Sequence, residues 1–517
     1  MECFSLQKGR YKRMEINRKS FWQWEKAPVF VPLQEDIQVN TVIVGAGICG
    51  LLCAYFLHRK GVRDIAIIDA NEICSGVTVN TTAKITSQHG LIYANLMQGL
   101  GMERTAGYFA VNEKAIRNYQ EIIGREQIDC DFASCNAWVY TASENDLHSI
   151  EDEMHAAERL GIAASFDVNT ELPLQVRGAI KFPDQAHFHP LKFAYRICDI
   201  LSNAGCKVYT HTKATGIGER IVHTDRGNIR GEHIISCSHY PFIDKASLLF
   251  TKIYQDRSYV LALKNAGAIQ DMYLDSADGG FSFRPQKDEE NQDMILFGAY
   301  DHKTGHEDKN LHFDSLLAEA KRYYPGGETA YMWSAQDCMT HDKIPYIGRY
   351  RSAGEKIYIA TGFNKWGMTS SMVAADIISD LIVKGSSDYQ DVFCMNRGDI
   401  GLQAKSFVKE SVDIAGNFLT HLTMADKSLR DIGRDKGGIV ETQGKRAGVY
   451  RDKDGRLYAV KPVCTHMGCA LKWNKDENTW DCTCHGSRFN YKGEVIGGPA
   501  LKPLERLEIQ NYSKGRK

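Results

Sequence analysis

Cysteine and histidine crowd together near the C-terminal end of the chain, in C-T-H-M-G-C at 464–469 and C-T-C-H-G-S at 482–487. Thiolates and imidazoles are the ligands of soft and borderline metals. Each stretch supplies one Cys and one His at short spacing, Cys464 with His466 and Cys482 with His485. Two thiolates on one iron and two imidazoles on the other form the donor set of one class of [2Fe–2S] cluster. A mixed zinc site is the alternative, although zinc sites more often pair like ligands, C-x2–4-C with H-x3–5-H. Fifteen residues separate His466 from Cys482, enough for a hairpin between two loop tips.

A second constellation lies near the front. Residues 41–50 read T-V-I-V-G-A-G-I-C-G, an apolar strand running into G-x-G-x-x-G, and an apolar-periodic stretch follows at Leu51, Leu52, Ala54, Tyr55 and Leu57. In this fingerprint Gly45 permits the tight turn, Gly47 lets the backbone approach a pyrophosphate, and Gly50 lets helix and strand pack closely. The N–H groups and positive dipole end of the helix would face the phosphates. A second strand, I-A-I-I-D at 65–69, ends in Asp69, placed to hold a ribose hydroxyl. The spacing alone does not separate FAD from NAD. No second G-x-G-x-x-G is present, which argues against a nicotinamide-fed reductase.

The elements that must position these residues fall into zones. Residues 1–37 form a polar and aromatic lead-in (Phe21, Trp22, Trp24, Pro28, Pro32) expected to pack loosely on the first domain. Residues 38–395 alternate short apolar runs with amphipathic stretches, as mixed α/β structure does. Within them, 371–383 reads as a buried amphipathic helix carrying Asp376 and Asp380. Residues 396–430 carry a helical pattern (Phe407, Val408, Val412, Ile414, Phe418, Leu419, Leu422) and read as a connector helix. From 431 to 517, short strands and glycine-rich turns indicate a small all-β module.

With 517 residues the chain exceeds one compact core, so two or three domains are expected. A net charge of −1 gives no reason to expect nucleic-acid binding. No apolar run reaches the roughly 18 residues of a membrane span, and the basic N-terminus lacks the apolar run of a signal peptide. A cytoplasmic location, or one peripheral to a membrane, is expected. The cysteines outside 464–484 show no short-spaced pairing and read as buried thiols. His187 and His189 in D-Q-A-H-F-H-P could suggest mononuclear iron, but the segment reads better as a loop entering a helix with Pro190 at its first position. His302 and His306 read as surface-loop histidines.

Three segments carry a family resemblance: S-G-V-T-V-N-T-T-A-K-I-T-S-Q-H-G at 75–90, T-H-D-K-I-P-Y-I-G at 340–348 and I-Y-I-A-T-G-F-N-K-W-G-M-T at 357–369. Over about residues 38–390 the chain resembles the D-amino-acid oxidase/glycine oxidase superfamily of FAD enzymes. The resemblance implies a Rossmann-type FAD-binding domain with an interleaved α+β substrate domain. It implies flavin contacts at Gly362, Lys365, Trp366, Gly367, Met368 and Thr369, with Thr81, Thr82, Ala83 and Lys84 passing along the isoalloxazine and pyrophosphate. Asp69 stands where these proteins usually carry Glu. Lys84, Arg284 and Lys365 are the catalytic or substrate-holding candidates, with His89 also facing the expected cavity; Arg284 could hold a carboxylate bidentately.

The C-terminal loops closely resemble Rieske proteins of the cytochrome bc type. That resemblance implies Cys464, His466, Cys482 and His485 as cluster ligands and a disulfide between Cys469 and Cys484 joining the loops. Ser487 is placed to donate a hydrogen bond to a cluster sulfur. High-potential family members add a Tyr where this chain has Phe489, so a potential below the top of the Rieske range of roughly −150 to +300 mV is expected. The function expected is an FAD-dependent dehydrogenase of an amine or amino acid that passes electrons through the cluster to an external protein or quinone. Two other readings stay open: a cluster-fed flavin reductase, and a redox-sensing or electron-carrier protein.

Overall fold

The computed structural model describes residues 16–243, 248–306, 312–397, 428–442 and 445–508. The first sheet is built around Ile37–Val44, parallel to Asn228–Ser236 on one side and to Ile65–Ile68 on the other. Lys207–Tyr209 extends it past Ile65–Ile68, and Ile357–Thr361 pairs parallel to Asn228–Ser236. One face of this sheet is covered by helices and the other by strands and loops, and strands buried on both faces are apolar throughout rather than alternating. Ile65–Ile68 is accordingly wholly buried. The helices Ile48–Arg59 and Gly367–Val383 pack against each other over this sheet.

Gly367–Val383 is the buried helix expected over 371–383, and its burial extends to nearly every side rather than to one face. Its acids are accommodated by pairing: Asp376 with Lys114 (2.5 Å), and Asp380 with Lys60 (2.5 Å) and Lys384 (3.0 Å). Burying a carboxylate is tolerated when a cation accompanies it.

The second sheet has nine strands among the described residues, eight of them ordered from Glu328–Thr340 through Ile253–Lys264, Asp293–Lys303, Ser282–Lys287, Met272–Asp275, Ala133–Thr141 and Gly178–His187 to Lys84–Ile85, with Ser165–Asp167 also pairing Gly178–His187. It draws its strands from two stretches, 84–187 and 253–340, that lie between strands of the first sheet, which is the interleaved α+β arrangement expected.

The lead-in is not loose where it is described. Phe21 and Trp22 are 1% and 0% exposed, and Trp22 Nε1 donates to the Thr81 carbonyl at 2.7 Å. The connector-helix expectation falls mainly outside the described residues. Its described end is a short 3-10 turn, Leu429–Asp431, closed by a Ser428/Asp431 capping box.

The C-terminal module consists of two small antiparallel sheets, one of Lys436–Thr442, Lys445–Arg451 and Leu457–Val460, the other of Leu471–Asn474, Thr479–Cys482, Arg488–Asn490 and Val495–Gly497. Trp473 and Trp480 lie between them. A Cβ at Gly437 would meet the Trp473 ring at 2.4 Å, and one at Gly448 would meet Trp480 at 2.9 Å, so glycine is what lets the two sheets close over the indoles. Among the described residues no helix is long and apolar enough to cross a membrane.

Candidate functional site: a nucleotide cavity backed by a Cys/His loop pair

The Rossmann turn has the geometry its glycines foretell. Gly45 has φ +110°, and a Cβ there would lie 2.5 Å from the Cys237 carbonyl oxygen; a Cβ on Gly50 would lie 1.9 Å from the Gly45 carbonyl oxygen. Gly47 caps the helix Ile48–Arg59 with no side-chain bond of its own, although Thr78 Oγ1 accepts from Ile48 N–H at 3.2 Å. Asp69 is anchored by the Ala46 and Asn71 N–H groups (2.8 and 2.9 Å), and burial pushes its carboxyl above the ordinary value.

A cavity of about 560 Å³ runs from this turn between the two sheets. Gly45, Gly47, Asp69, Thr81, Thr82, Lys84, Gly362, Lys365, Trp366, Gly367 and Met368 line it, so eleven of the anticipated positions converge on one space. The donor-rich turn, the anchored acid and the depth of the cavity fit a bound FAD.

Several candidates sit elsewhere. Gly50 acts through packing, as its close approach to Gly45 requires. Ala83 is fully buried at φ +55° and does not reach the cavity. Thr369 is also buried, its hydroxyl 3.0 Å from His89 Nε2. His89 lies behind the wall, stacked on Trp366 at 4.8 Å and bonded to Tyr108 Oη at 2.6 Å. Arg284 is not a cavity residue. It is fully buried, donating to Gln286 (2.8 Å) and the Phe188 carbonyl (2.8 Å), contacting His187 Nδ1 (2.9 Å), and lying over the Trp22 ring. Ser282 and Arg284 share one face of the strand Ser282–Lys287, but only Ser282 reaches the cavity, while Arg284, two residues farther along, runs to His187 and Phe188.

Lys84 and Lys365 remain in the cavity. Lys84 Nζ donates to Ser282 Oγ (2.6 Å) and the Tyr273 carbonyl (3.2 Å); burial, and then the Arg284 guanidinium, push its ammonium down to about 7. Burial likewise opposes charge on Lys365, but Asp301, Asp256 and Asp337 outweigh it and hold its pKa above the usual lysine value. Lys365 forms an ion pair with Asp301. Asp337 also lines the cavity, and burial raises it to about 6 against the pull of Lys365. Asn364 holds this turn together, accepting from Thr340 N–H (2.7 Å) and donating to the Gly362 carbonyl (2.7 Å).

The Cys/His loops are the tips before Leu471 and between Cys482 and Arg488. Cys464, Cys482 and His485 are buried and His466 is half-buried. The imidazoles of His466 and His485 stand 5.1 Å apart at 89°, and the Cys464 thiol is hydrogen-bonded to that of Cys482. The two imidazoles thus meet as one pair and the two thiols as another, on the same two loops, which fits the donor set of a [2Fe–2S] cluster. Cys469 and Cys484 are separate thiols, their sulfurs within 4.8 Å of each other and of the Cys482 sulfur. The expected Cys469–Cys484 disulfide is therefore a proposal that this proximity permits. Ser487 is fully buried and hydrogen-bonded to the Cys464 sulfur, and Phe489 is fully buried as well.

Removing the Ser487 hydroxyl has a calculable consequence. Such a bond favours the more negative reduced cluster, so Ser487→Ala lowers the midpoint potential. A hydrogen bond to a charged group is worth about 1.5–3 kcal/mol, which for one electron is roughly 60–130 mV. Potentiometric titration followed by EPR checks this.

The loops abut the first domain. Gln255 Nε2 donates to the His485 carbonyl (2.7 Å) and the Gly498 carbonyl (2.9 Å). Gln336 Nε2 donates to the Gly486 carbonyl (2.8 Å) and to Gln255 Oε1 (2.5 Å). A Cβ on Gly305 would be 2.9 Å from the Cys482 carbonyl, and one on Gly486 would be 2.8 Å from Gln255 Cβ. Phe250 packs edge-on to both imidazoles. Side chains alternate between faces along a strand. Gln336 thus faces the loops while its neighbours Ala335 and Asp337 line the cavity. A single layer of sheet separates the two candidate sites.

The histidines read as surface-loop residues belong to this interface instead. His306 Nε2 lies 2.9 Å from the Thr483 carbonyl oxygen, and His302 stacks on His312 at 4.3 Å, a ring that also stacks on Tyr259 at 4.8 Å. His189 conforms to the loop-into-helix reading, capping Pro190–Asn203 and accepting from Lys192 N–H at 3.2 Å, whereas His187 ends the strand Gly178–His187. Three cysteines read as unrelated buried thiols come together in the core. Cys49, Cys53 and Cys237 have sulfurs within 4.8 Å of one another, two helical residues one turn apart meeting the end of Asn228–Ser236.

Comparison with known proteins follows the same division. The model of the family described as FAD dependent oxidoreductase matches residues 40–381, and that of the Rieske [2Fe-2S] domain matches residues 423–512. The chain is 37% identical over 499 residues to YhfW of Bacillus subtilis (strain 168), a protein named for a Rieske 2Fe-2S iron-sulfur centre, covering 95% of this chain and 98% of that one. Among solved structures, glycine oxidase from Geobacillus kaustophilus superposes with a TM-score of 0.57 at 17% identity, over 68% of this chain and 95% of that one. L-proline dehydrogenase from P. horikoshii does so with a TM-score of 0.57 at 16% identity, over 71% and 100%. At these identities the structural likeness is one of fold.

Proposed function

The chain belongs to the FAD-dependent oxidoreductases and carries a Rieske [2Fe–2S] domain, and from that premise we propose that it is a dehydrogenase of a small amine or amino acid with an external one-electron acceptor, a protein or a quinone. When bound, FAD would accept an electron pair from the substrate and the cluster would carry the electrons onward singly. The observation that carries this reading is the seating of the Cys/His loops against the strand whose other face walls the cavity. A tethered cluster acts at an effective concentration in about the millimolar range. It therefore competes with dissolved oxygen for the electrons, which favours dehydrogenase over oxidase. The amine or amino acid class is supported by the fold neighbours, one named a glycine oxidase and another an L-proline dehydrogenase.

The chain's own residues would bind and orient the substrate. Lys84 spends two of its three N–H donors on Ser282 and Tyr273 and keeps the third for a ligand. Asp337, held near neutrality in its protonation, can take up or release a proton within the cavity. The Lys365–Asp301 pair fixes the turn beside it.

Because the Lys84 ammonium sits near pH 7, it is charged below that value and neutral above it. Binding of a carboxylate ligand should therefore weaken as pH rises through about 7, and Lys84→Gln should remove that dependence. Perturbation of the flavin absorbance by benzoate or an amino acid at several pH values reads it out.

An anaerobic screen of amines and amino acids tests the function itself. Bleaching of the flavin followed by a reduced-cluster EPR signal is the expected outcome. Failure of every amine and amino acid to bleach the flavin, with reduction by a ferredoxin-like donor instead, would reverse the direction of flow.

A further inference from the structure

The C-terminal module contributes to the cavity as well as standing behind it. Val495, Ile496, Gly497, Gly498, Ala500 and Leu501 line the space, opposite Lys213, Ala214, Tyr240 and Phe242. Lys213 Nζ donates to the Leu501 carbonyl at 2.9 Å. Its neighbour Thr212 donates its N–H to the Asp69 carbonyl at 2.8 Å, so this wall stands at the end of the cavity marked by Asp69. Farther along, a Cβ on Gly498 would be 3.9 Å from Tyr240 Cβ, which sets the segment in contact with the chain that follows Cys237.

The chemistry of the wall matches a nucleotide. Ile496 and Leu501 are among the most exposed large apolar side chains of the described residues, at 52% and 37%, yet both border a cavity. Apolar surface facing a crevice is the usual lining of a cofactor site, where a flat ligand removes it from water. Lys213 and the Ala46–Asp69 contact supply polar groups at the same end. The wall is also fixed in place: Ala500 N–H donates to Ser487 Oγ at 3.0 Å, and Ala500 is 2% exposed.

We propose that Ile496–Leu501 forms the outer wall of the FAD site at its nucleotide end, making the Rieske module a cap that retains FAD. This rests on the reading that the cavity holds FAD. The consequence is that flavin affinity depends on a segment more than 400 residues beyond the Rossmann turn, and that the flavin cannot leave while the module is seated.

Hydrogen exchange on the full wild-type chain tests the proposal, comparing FAD-loaded protein with protein stripped of flavin and retaining its cluster. FAD should slow exchange in peptides covering 45–50 and also in those covering 495–501. Slowing at 45–50 with no change at 495–501 overturns the cap and leaves the FAD site standing; no change in either overturns both. As a second measurement, Ile496→Asp should raise the FAD dissociation constant at least tenfold with the visible circular dichroism of the cluster unchanged, and an unchanged constant overturns the cap. Asp69→Ala serves as the control that weakens FAD whether or not the cap exists.

Discussion

Cys464→Ser is expected to yield protein that retains FAD and is bleached by substrate at the wild-type rate, but that turns over with a one-electron protein acceptor more than about 100-fold more slowly. Loss of a thiolate from a buried site that needs four protein donors empties it of iron. Electrons would then leave the cavity only by bimolecular encounter, without the roughly millimolar effective concentration that tethering supplies. Cys464 is 2% exposed and does not line the cavity, touching its wall at one remove through Ser487 and Ala500, so the groups that hold the substrate stay in place. Stopped-flow bleaching, iron content and steady-state turnover measured on one preparation separate the two half-reactions. A variant that lost bleaching and turnover in equal measure would contradict the division of labour.

Glu477→Ala is expected to detach the two halves of the electron path. Glu477 lies in the tip between Leu471–Asn474 and Thr479–Cys482, pairs with Arg257 and with Arg488 (2.9 Å), and accepts from Ser334 Oγ at 2.6 Å. The Arg257 side chain is 1% exposed, so truncation leaves a buried cation without its partner. Breaking a buried pair in this way costs about 3–5 kcal/mol. The cost falls on the interface, so the melting temperature should drop and cluster reduction should lag flavin reduction. Arg257→Met with Glu477→Leu, which removes both charges together, should recover much of the stability.

The same pair sets an acid limit. Burial by itself would raise the Glu477 carboxyl, but Arg257 and then Arg488 outweigh it and hold the group below its ordinary value of 4.5. A depressed carboxylate contributes its full stabilisation above the unfolded value and loses it as pH falls through the folded one. Docking should persist at pH 5 and loosen only below about 4.5.

What could be read from the sequence was what the chain encodes locally. The glycines at 45, 47 and 50 and the two Cys/His loops carry their meaning within a few residues, because a turn or a ligand pair is assembled from neighbours. Asp69 was legible because one helix and one strand fix its distance from the turn. The interface was not legible. Gln255 and Gln336 are 81 residues apart in sequence and Arg257 and Glu477 are 220 apart, and nothing local to either pair signals the other. Arg284 was misplaced for a different reason: strand periodicity puts it on the same face as Ser282, but does not say how far along that face the cavity extends. His302 and His306 looked like surface residues for want of the module that covers them. The cysteines Cys49, Cys53 and Cys237 meet only because a parallel strand returns beside the first.

The central claim is that electrons pass from the flavin cavity to the cluster within one chain, across a single layer of sheet. The most direct test is the rate of cluster reduction after rapid anaerobic reduction of the flavin, measured over a wide range of protein concentration. A first-order rate independent of concentration is predicted. A rate that rises in proportion to concentration would mean that the cluster is reached by another molecule's flavin, and would contradict the account.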